Sequence, residues 1–304
     1  MKLLPIMLYL LCSVTTGMSQ QRADTLFSPA ISNPQYPAGK GPVILLDEGH
    51  QNFHTTTGRF RPFADFLRKD GYVVKGYTGS FKPDELKPAR VVVIANALHE
   101  SNLSEWTLPT PSAFPNSEIS NLVLWVKNGG SLFLIADHMP FPGAAEKLAA
   151  VFGFTFYNGF AMNKKREEGA VDIFTLQQGL SDNVITRGRN EKEKITSLQT
   201  FTGQAFLAPP EATPIVVLDN RFELLLPQTA WEFAVNTTKK PAENLVQGAY
   251  RNYGKGRLVV FGEAAMFSAQ IQRDSIRMGM NAKTAEQNPQ FLLNLIHWLD
   301  RQLN

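Results

Sequence analysis

The chain has 304 residues, of which 43% are hydrophobic and 19% charged, and its formal net charge is +3. This composition is typical of a globular protein and excludes a disordered chain or one with many membrane spans. The small net charge argues against nucleic acid as a main partner. The single cysteine excludes a disulfide framework and a cysteine-based zinc finger.

Residues 1–19 are predicted to be a secretory signal peptide. Lys2 precedes an apolar run at 3–11, and small and polar residues follow that run. The run is too short to span a bilayer comfortably, which argues against a membrane anchor. A lipoprotein attached through Cys12 is disfavoured because the residue before the cysteine is not small. We therefore expect a periplasmic or secreted protein whose mature chain contains no cysteine and no integral membrane span.

After a lead-in at 20–41, strands and helices alternate. Continuous apolar runs predict buried strands at 43–46, 72–74, 91–95 and 132–136. Helices are predicted near Pro62, over 117–127 and over 144–152. This alternation favours a mostly parallel sheet with helices on both faces. Residues 42–304 are therefore predicted to form one α/β domain with a three-layer, flavodoxin-like sheet.

The stretch from about 154 to 244 interrupts this rhythm and is predicted to be an elaboration of the same domain. It contains a charged run at 164–168, which we expect to be a solvated loop. Residues 213–218 and 222–226 have the pattern of strands around a turn.

Regular structure returns with two strand-like runs, 245–253 and 257–262, which a glycine-rich turn joins into a predicted hairpin. A helix over 288–299 closes the chain. Asn288 is the predicted cap of this helix, and periodicity places His297 on its polar side, away from any site.

Four of the five histidines follow predicted strands of the sheet. His50 and His54 follow the first strand, His99 the third and His138 the fourth. In a flavodoxin-like strand order of 2-1-3-4-5, the first, third and fourth strands are neighbours. Ligands bind at the carboxyl ends of the strands in such sheets. Histidines that are distant in sequence are therefore expected to meet at one edge.

Carboxylates are expected at the same edge. Asp47 and Glu48 end the first strand, Asp137 ends the fourth, and Glu263 follows the strand at 257–262. Imidazole and carboxylate groups are the usual ligands of catalytic zinc, whose bound water becomes a nucleophile near neutral pH.

These residues predict a divalent metal site, with zinc as the first choice. The predicted ligands are His50, His54, Asp137 and His138. Glu263 or Glu48 is the predicted base or a further ligand, and His99 is a weaker catalytic candidate because it lies in a long loop.

Two other interpretations stay open. Asp47 and Asp137 are equally suited to hold their loops, with hydrogen-bonded histidines and no metal. The same edge could also hold a polar ligand without a metal. The sequence contains no G-x-S-x-G elbow and no glycine-rich phosphate loop, so a conventional serine hydrolase and a nucleotide cofactor are not predicted.

Three segments, 47–55, 135–143 and 261–267, resemble blocks of exported bacterial domains of unknown function that are grouped with the class I glutamine amidotransferase-like fold. The resemblance runs from about Pro42 to the C-terminus and is weakest between 154 and 244. It implies a flavodoxin-like sheet. It does not imply amidotransferase activity, because the turn after the third strand, 96–99, lacks the nucleophilic cysteine of that superfamily.

The first functional hypothesis is an exported metal-dependent hydrolase that acts on a small molecule or a glycan. The alternative is a non-catalytic domain of the cell envelope that uses the same edge to bind a ligand or a partner protein. A purely structural role is the third possibility.

Overall fold

The computed structural model of the protein describes residues 21–165, 171–273 and 275–304. The predicted signal peptide, Cys12 and residues 166–168 of the charged run lie outside the described residues. Within the described ranges, no helix is both long and apolar enough to cross a membrane.

The described helices and strands follow in chain order. The helices are α1 (Arg61–Lys69), α2 (Pro83–Leu86), α3 (Asn116–Lys127), α4 (Phe141–Val151), α5 (Val184–Arg187) and α6 (Asn288–Leu299). The strands are β1 (Arg22–Ala23), β2 (Val43–Asp47), β3 (Val73–Tyr77), β4 (Ala89–Ala95), β5 (Ser131–Ile135), β6 (Thr155–Phe156), β7 (Phe160–Asn163), β8 (Asp172–Thr175), β9 (Ser197–Thr200), β10 (Phe206–Leu207), β11 (Thr213–Val217), β12 (Phe222–Leu226), β13 (Thr238–Pro241), β14 (Val246–Tyr253), β15 (Gly256–Phe261), β16 (Ala269–Gln272) and β17 (Ile276–Gly279).

Nine of these strands form the main sheet, in the order β3-β2-β4-β5-β15-β14-β10-β6, with β11 also paired to β14. The first five are parallel to one another. Their order is 2-1-3-4-5 when they are counted along the chain, so the predicted flavodoxin-like sheet is confirmed. The predicted hairpin is confirmed as well, because β14 and β15 pair antiparallel.

The parallel strands are apolar throughout because both of their faces are covered. In β4, Val91 and Val93 belong to a core shared with α1 and α6. Val92 and Ile94 belong to a second core on the other face, shared with α3 and α4. Successive side chains of the strand therefore point into two cores on opposite faces of the sheet, which confirms the three-layer arrangement.

Two predictions about α6 are wrong. Asn288 is the first residue of the helix and not its cap, and its carboxamide accepts from the backbone N–H of Gln199 and donates to the carbonyl of Gln199. His297 is only 1% exposed, and its Nε2 lies 2.7 Å from Oδ2 of Asp70. The face of α6 that was predicted to be polar packs against α5. Asn294 on that face donates to the carbonyl of Ile185 in α5.

The elaboration contains the two predicted strands, but they lie in different sheets. β11 joins the main sheet through β14, whereas β12 lies between β13 and β7 in a separate three-stranded sheet. Lys164 and Lys165 are exposed, as expected of a solvated loop. The lead-in packs on the rest of the chain, since β1 pairs with β16 and the Tyr36 hydroxyl donates to Asp300 at 2.6 Å.

Candidate functional site

A cavity of about 160 Å³ lies at the carboxyl edge of the main sheet. Residues that follow β2, β4, β5 and β15 line this cavity. These are the four strands after which the sequence analysis placed the candidate residues. The polar lining includes His54, Arg59, Asn96, Asp137, His138, Thr202 and Glu263. The aromatic lining includes Phe53, Trp106, Phe141, Phe201 and Trp231.

A larger groove of about 820 Å³ lies at the opposite edge, where Val43, Ala89 and Gly130 mark the amino ends of the parallel strands. Its wall has Trp125 and several prolines but no histidine. Ligands of open α/β sheets bind at the carboxyl ends of the strands. We therefore take the smaller cavity, where the titratable groups converge, as the candidate site.

Asn96 holds three strand ends together at this cavity. Its backbone is left-handed, with φ of 52°, a conformation that asparagine tolerates better than most residues. Its carbonyl accepts from the Phe53 N–H at 2.9 Å, and its side-chain oxygen accepts from the Asp137 N–H at 2.9 Å. Asn96 stands in the turn where the sequence lacked the amidotransferase cysteine.

Asp137 is a buried residue of the cavity wall, and it organises the next loop. One carboxylate oxygen accepts from the His138 N–H at 2.7 Å, and the other lies 3.4 Å from the Ala264 nitrogen. Burial raises the pKa of Asp137, while the His138 charge and these two N–H groups oppose the rise. Asp137 therefore fixes its loop, as one of the sequence interpretations proposed.

His138 has a defined tautomer. Its Nδ1 lies 2.8 Å from the carbonyl oxygen of Met139, which can only accept, so Nδ1 carries a proton. In the neutral ring Nε2 is then the basic nitrogen. The half-buried ring stacks on Phe160 with centroids 4.7 Å apart, and Trp231 meets it edge-on at 4.6 Å.

His54 is 4% exposed and lines the same cavity. Burial, together with the nearby charges of Arg59 and His138, lowers the pKa of His54 to about 3. Its Nδ1 is buried and has no hydrogen-bond partner among the described residues. The ring is therefore neutral at physiological pH and holds an unused polar atom beside the cavity.

Arg59 is a cavity residue that the sequence did not single out. Its guanidinium carbon lies 3.8 Å from the centroid of the Phe53 ring. Its Nε is buried without a hydrogen-bond partner in the part of the chain that the structure describes. Burial lowers the pKa of Arg59 below its ordinary value, but an arginine remains charged.

Glu263 is fully buried, and its carboxylate holds a turn. One oxygen accepts from the Ala265 N–H and the other from the Met266 N–H, both at 2.7 Å. These contacts cap the short helical turn Ala265–Phe267. Glu263 lines the cavity, but both of its oxygens already accept from backbone N–H groups, which suits a supporting role better than that of a free base.

His50 lies in a separate buried cluster. Its Nδ1 is 2.9 Å from Asp47, and its Nε2 is 3.0 Å from Glu118 of α3. Phe81 and Phe114 pack against its ring. Burial alone would lower the pKa of His50, but the hydrogen bond and charge of Asp47, together with Glu118, raise it.

The remaining two candidates are not among the residues that line the cavity. Glu48 accepts from the backbone N–H and the hydroxyl of Thr56, at 2.6 and 2.7 Å. His99 Nδ1 accepts from the Ser101 N–H at 3.2 Å, at the start of the turn Glu100–Asn102. Both side chains hold local backbone.

The four predicted metal ligands are divided between two places. His54, Asp137 and His138 line the cavity, whereas His50 has carboxylates on both of its ring nitrogens. Among the described residues, no group of three or more His, Cys, Asp or Glu side chains is arranged to hold a metal ion. The residues therefore do not fit the predicted four-ligand centre, and metal binding stays a prediction.

Two tryptophans complete the cavity, and sequence patterns gave no signal for either. The Ala230 N–H donates to the carbonyl of Trp106 at 2.8 Å, so the two loops that carry Trp106 and Trp231 run side by side. Trp231 is left-handed, with φ of 69°. For a bulky residue this conformation is a genuine outlier that needs support from its surroundings.

No family model matches this sequence, and no curated protein matches it. Solved structures are similar. The mmIFT52 N-terminal domain aligns with a TM-score of 0.60 and 14% identity, over 84% of this chain and 97% of that chain. At this identity the similarity shows a shared fold and nothing about activity.

Two looser similarities are to bacterial proteins. A ThuA-like protein from Bacteroides uniformis aligns with a TM-score of 0.46 and 12% identity, over 90% of this chain and 94% of that one. A cytoplasmic protein from Salmonella typhimurium aligns with a TM-score of 0.49 and 14% identity, over 85% and 98%.

Proposed function

We propose that the cavity binds a small polar organic molecule and that His138 exchanges a proton with it. The observation that carries this proposal is the tautomer of His138, whose Nδ1–H is held by Met139 at 2.8 Å. This contact leaves Nε2 as the base in a residue that lines the cavity. A positioned imidazole with a defined tautomer suits general acid–base catalysis.

The step requires no covalent intermediate. A hydroxyl of the ligand, or a water beside it, loses its proton to Nε2 of His138, so one O–H bond breaks and one N–H bond forms. Burial raises the pKa of Asp137, but the charge of His138 opposes that rise, so an ionised Asp137 and the imidazolium stabilise each other. The face of Phe160, stacked at 4.7 Å, adds a cation–π contribution.

The size of the cavity restricts the ligand. Pockets for drug-sized ligands measure about 300–1,000 Å³, and this one measures about 160 Å³. A small metabolite or a single sugar unit fits that volume better than an extended polymer. Aromatic walls with a few polar groups are the usual surroundings of such ligands.

A second candidate function is binding without catalysis. It is favoured by Asn96, which lies in the left-handed turn after β4 and offers no nucleophile there. Glu263 also has both oxygens engaged by backbone N–H groups. A receptor domain would use the same cavity, and His138 would then donate or accept a hydrogen bond only.

Export and a place in the cell envelope also remain proposals. They rest on the pattern of Lys2 and the apolar run at 3–11. A metal-dependent hydrolase is the finer form of the enzyme hypothesis, and the division of its predicted ligands gives it less support than metal-free acid–base chemistry receives.

The test is a saturation-transfer NMR screen of small sugars, hydroxy acids and amino acids against the wild-type protein and three variants. Thr202 and Ala265 line the cavity from two different segments, so Thr202→Trp and Ala265→Phe fill it, whereas His138→Gln keeps the size of the side chain approximately unchanged. We expect binders that are lost in both filled variants and retained in His138→Gln. Far-UV circular dichroism and melting temperature confirm that each variant is folded.

Each binder is then incubated with the protein, and its conversion is followed by NMR. We expect turnover in the wild type and a loss of at least about 100-fold in His138→Gln, the usual contribution of a general base. Binders unaffected by both cavity-filling substitutions would overturn the assignment of the site. Binding without turnover would establish the receptor function instead.

A further inference from the structure

We infer that the ligand of the cavity carries a carboxylate and that Arg59 is the residue that recognises it. The inference rests on the proposed function, because it assigns a chemical class to the molecule that this cavity holds. Its starting point is the guanidinium of Arg59, a cation with a buried Nε–H that finds no acceptor in the described part of the protein.

The position of Arg59 leaves its donors available. The guanidinium carbon lies 3.8 Å from the centre of the Phe53 ring, so the group uses its flat face for the aromatic contact. Its N–H donors point outward in the plane of the group. Stacking therefore fixes the orientation of the guanidinium and leaves the N–H groups at its edge for a ligand. A carboxylate matches the geometry of these N–H groups, because it accepts two parallel hydrogen bonds from them.

Several other arginines of this chain have carboxylate partners, whereas Arg257 and Arg301 donate to backbone carbonyls. Arg61 pairs with Asp65 at 3.5 Å, Arg189 with Glu193 at 2.6 Å, and Arg221 with Asp219 at 2.8 Å. Arg59 has no such partner among the described residues, although it is more buried than Arg61. Keeping a cation in a cavity wall without a counter-charge costs free energy, which an anionic ligand would recover.

The acids of the cavity do not take this role. Glu263 gives both oxygens to the backbone N–H groups of 265 and 266, and Asp137 accepts from the backbone N–H groups of His138 and Ala264. Neither acid has a salt bridge to Arg59 among the described residues. Both carboxylates thus accept from backbone N–H groups, whereas Nε of Arg59 has no hydrogen-bond partner among the described residues.

His54 supplies a second contact to the same anion. Burial, together with the nearby charge of Arg59, lowers the pKa of His54, so its ring is neutral. A neutral imidazole has one N–H donor, and Nδ1 of His54 has no partner among the described residues. A carboxylate beside Arg59 would accept one hydrogen bond from His54 without requiring a second charge there.

The experiment uses acetate, the smallest probe with the proposed group, and acetamide, its neutral match in shape. Each is titrated at constant ionic strength into the full-length protein labelled with ¹⁵N-arginine, and the Nε–H signal of Arg59 is followed. The variants are Arg59→Gln, Arg59→Lys and the matched control Arg61→Gln, which removes an exposed arginine two positions away. For the variants that lack Arg59, the ring protons of His54 and His138 report binding.

We expect acetate to bind the wild type and Arg61→Gln saturably, and to bind Arg59→Gln at least about tenfold more weakly, as the loss of a charged hydrogen bond requires. Arg59→Lys should keep part of the affinity, and acetamide should not bind measurably. The inference is overturned if acetate fails to bind the wild type, if acetamide binds equally well, or if Arg59→Gln binds like the wild type.

Thr202→Trp separates the failure of this inference from a failure of the proposed site. If acetate binding is lost in Thr202→Trp but unchanged in Arg59→Gln, the cavity is a binding site and the role of Arg59 is wrong. If acetate binding survives Thr202→Trp, the anion lies elsewhere and the inference is overturned on its own ground, while the screen with uncharged ligands still decides the proposed function.

Discussion

Nε2 of His50, in the loop after β2, lies 3.0 Å from Oε2 of Glu118, in helix α3. The other ring nitrogen lies 2.9 Å from Asp47. Ionised carboxylates only accept hydrogen bonds, so a ring that donates from both nitrogens is an imidazolium. His50 therefore ties the end of β2 to α3, and its two nitrogens are unavailable to a metal.

This contact predicts a pH-dependent stability at alkaline pH. The pKa of His50 is raised in the folded protein, so its contribution is complete below the unfolded value of about 6.5 and is lost as pH rises through the folded value. We expect the free energy of unfolding of the wild type to fall more steeply between pH 6 and pH 9 than that of His50→Gln.

Urea unfolding at pH 6, 7, 8 and 9 measures this difference, and His99→Gln is the control because His99 is only half-buried and lies outside the cluster. Parallel pH profiles of the wild type and His50→Gln would show that the ion pairs of His50 do not form.

His54 predicts the opposite behaviour at acid pH. Its pKa is lowered to about 3 in the folded protein, whereas the unfolded value is about 6.5. Its contribution is therefore present above pH 6.5 and is lost as pH falls toward 3, by about 5 kcal/mol in total. The Cε1 proton of His54 should keep the chemical shift of the neutral ring at pH 4.5. A titration midpoint near 6.5 would contradict the buried, neutral assignment.

Asn96 gives a prediction about local strain. Asn96→Ala removes the acceptor of the Asp137 N–H and places alanine at φ of 52°, which adds about 1–2 kcal/mol of left-handed strain. Asn96→Gly loses the same hydrogen bond but adopts that conformation freely. We expect Asn96→Ala to be less stable than Asn96→Gly by about 1 kcal/mol in urea unfolding. Equal stability would mean that residue 96 is not left-handed.

Trp231 is predicted to shield His138. Its ring lies 4.6 Å from that of His138, and Trp231 is itself 48% exposed. Trp231→Gly removes the shield and relieves the left-handed backbone, so the free energy of unfolding should change by less than about 1 kcal/mol. Diethylpyrocarbonate should then modify His138 several-fold faster, as mapped by mass spectrometry.

The modification rate of His99, which is half-buried and bonded to Ser101, should not change in Trp231→Gly. An unchanged rate at His138 would show that Trp231 does not cover the imidazole in solution.

Much of the architecture was predictable from local pattern. Apolar runs such as 91–95 gave the parallel strands, and the flavodoxin-like order placed His54, Asp137 and His138 at one edge, where they do line one cavity. Their convergence follows from topology, because parallel strands present their carboxyl ends together.

The rest depends on contacts between distant segments. Glu118 contacts His50 from a helix 68 residues later in the chain, and the residue pattern of neither segment predicts that contact. Trp106 and Trp231 meet the cavity only because two irregular loops pair. His297 was misplaced because the segment that covers its face of α6 lies about a hundred residues earlier, at Ile185 and Glu193.

We propose the cavity beside His138 as a small-molecule site, whereas His50 belongs to a separate buried cluster with Asp47 and Glu118. The most direct test is the ¹⁵N imidazole spectrum of tag-free protein labelled at histidine, recorded with acetate and, separately, with one equivalent of zinc. We predict that acetate shifts the signals of His54 and His138 and leaves His50 unchanged, with His138 protonated at Nδ1. A spectrum in which one equivalent of zinc shifts His50, His54 and His138 together would contradict the account, because those residues would then form one metal centre.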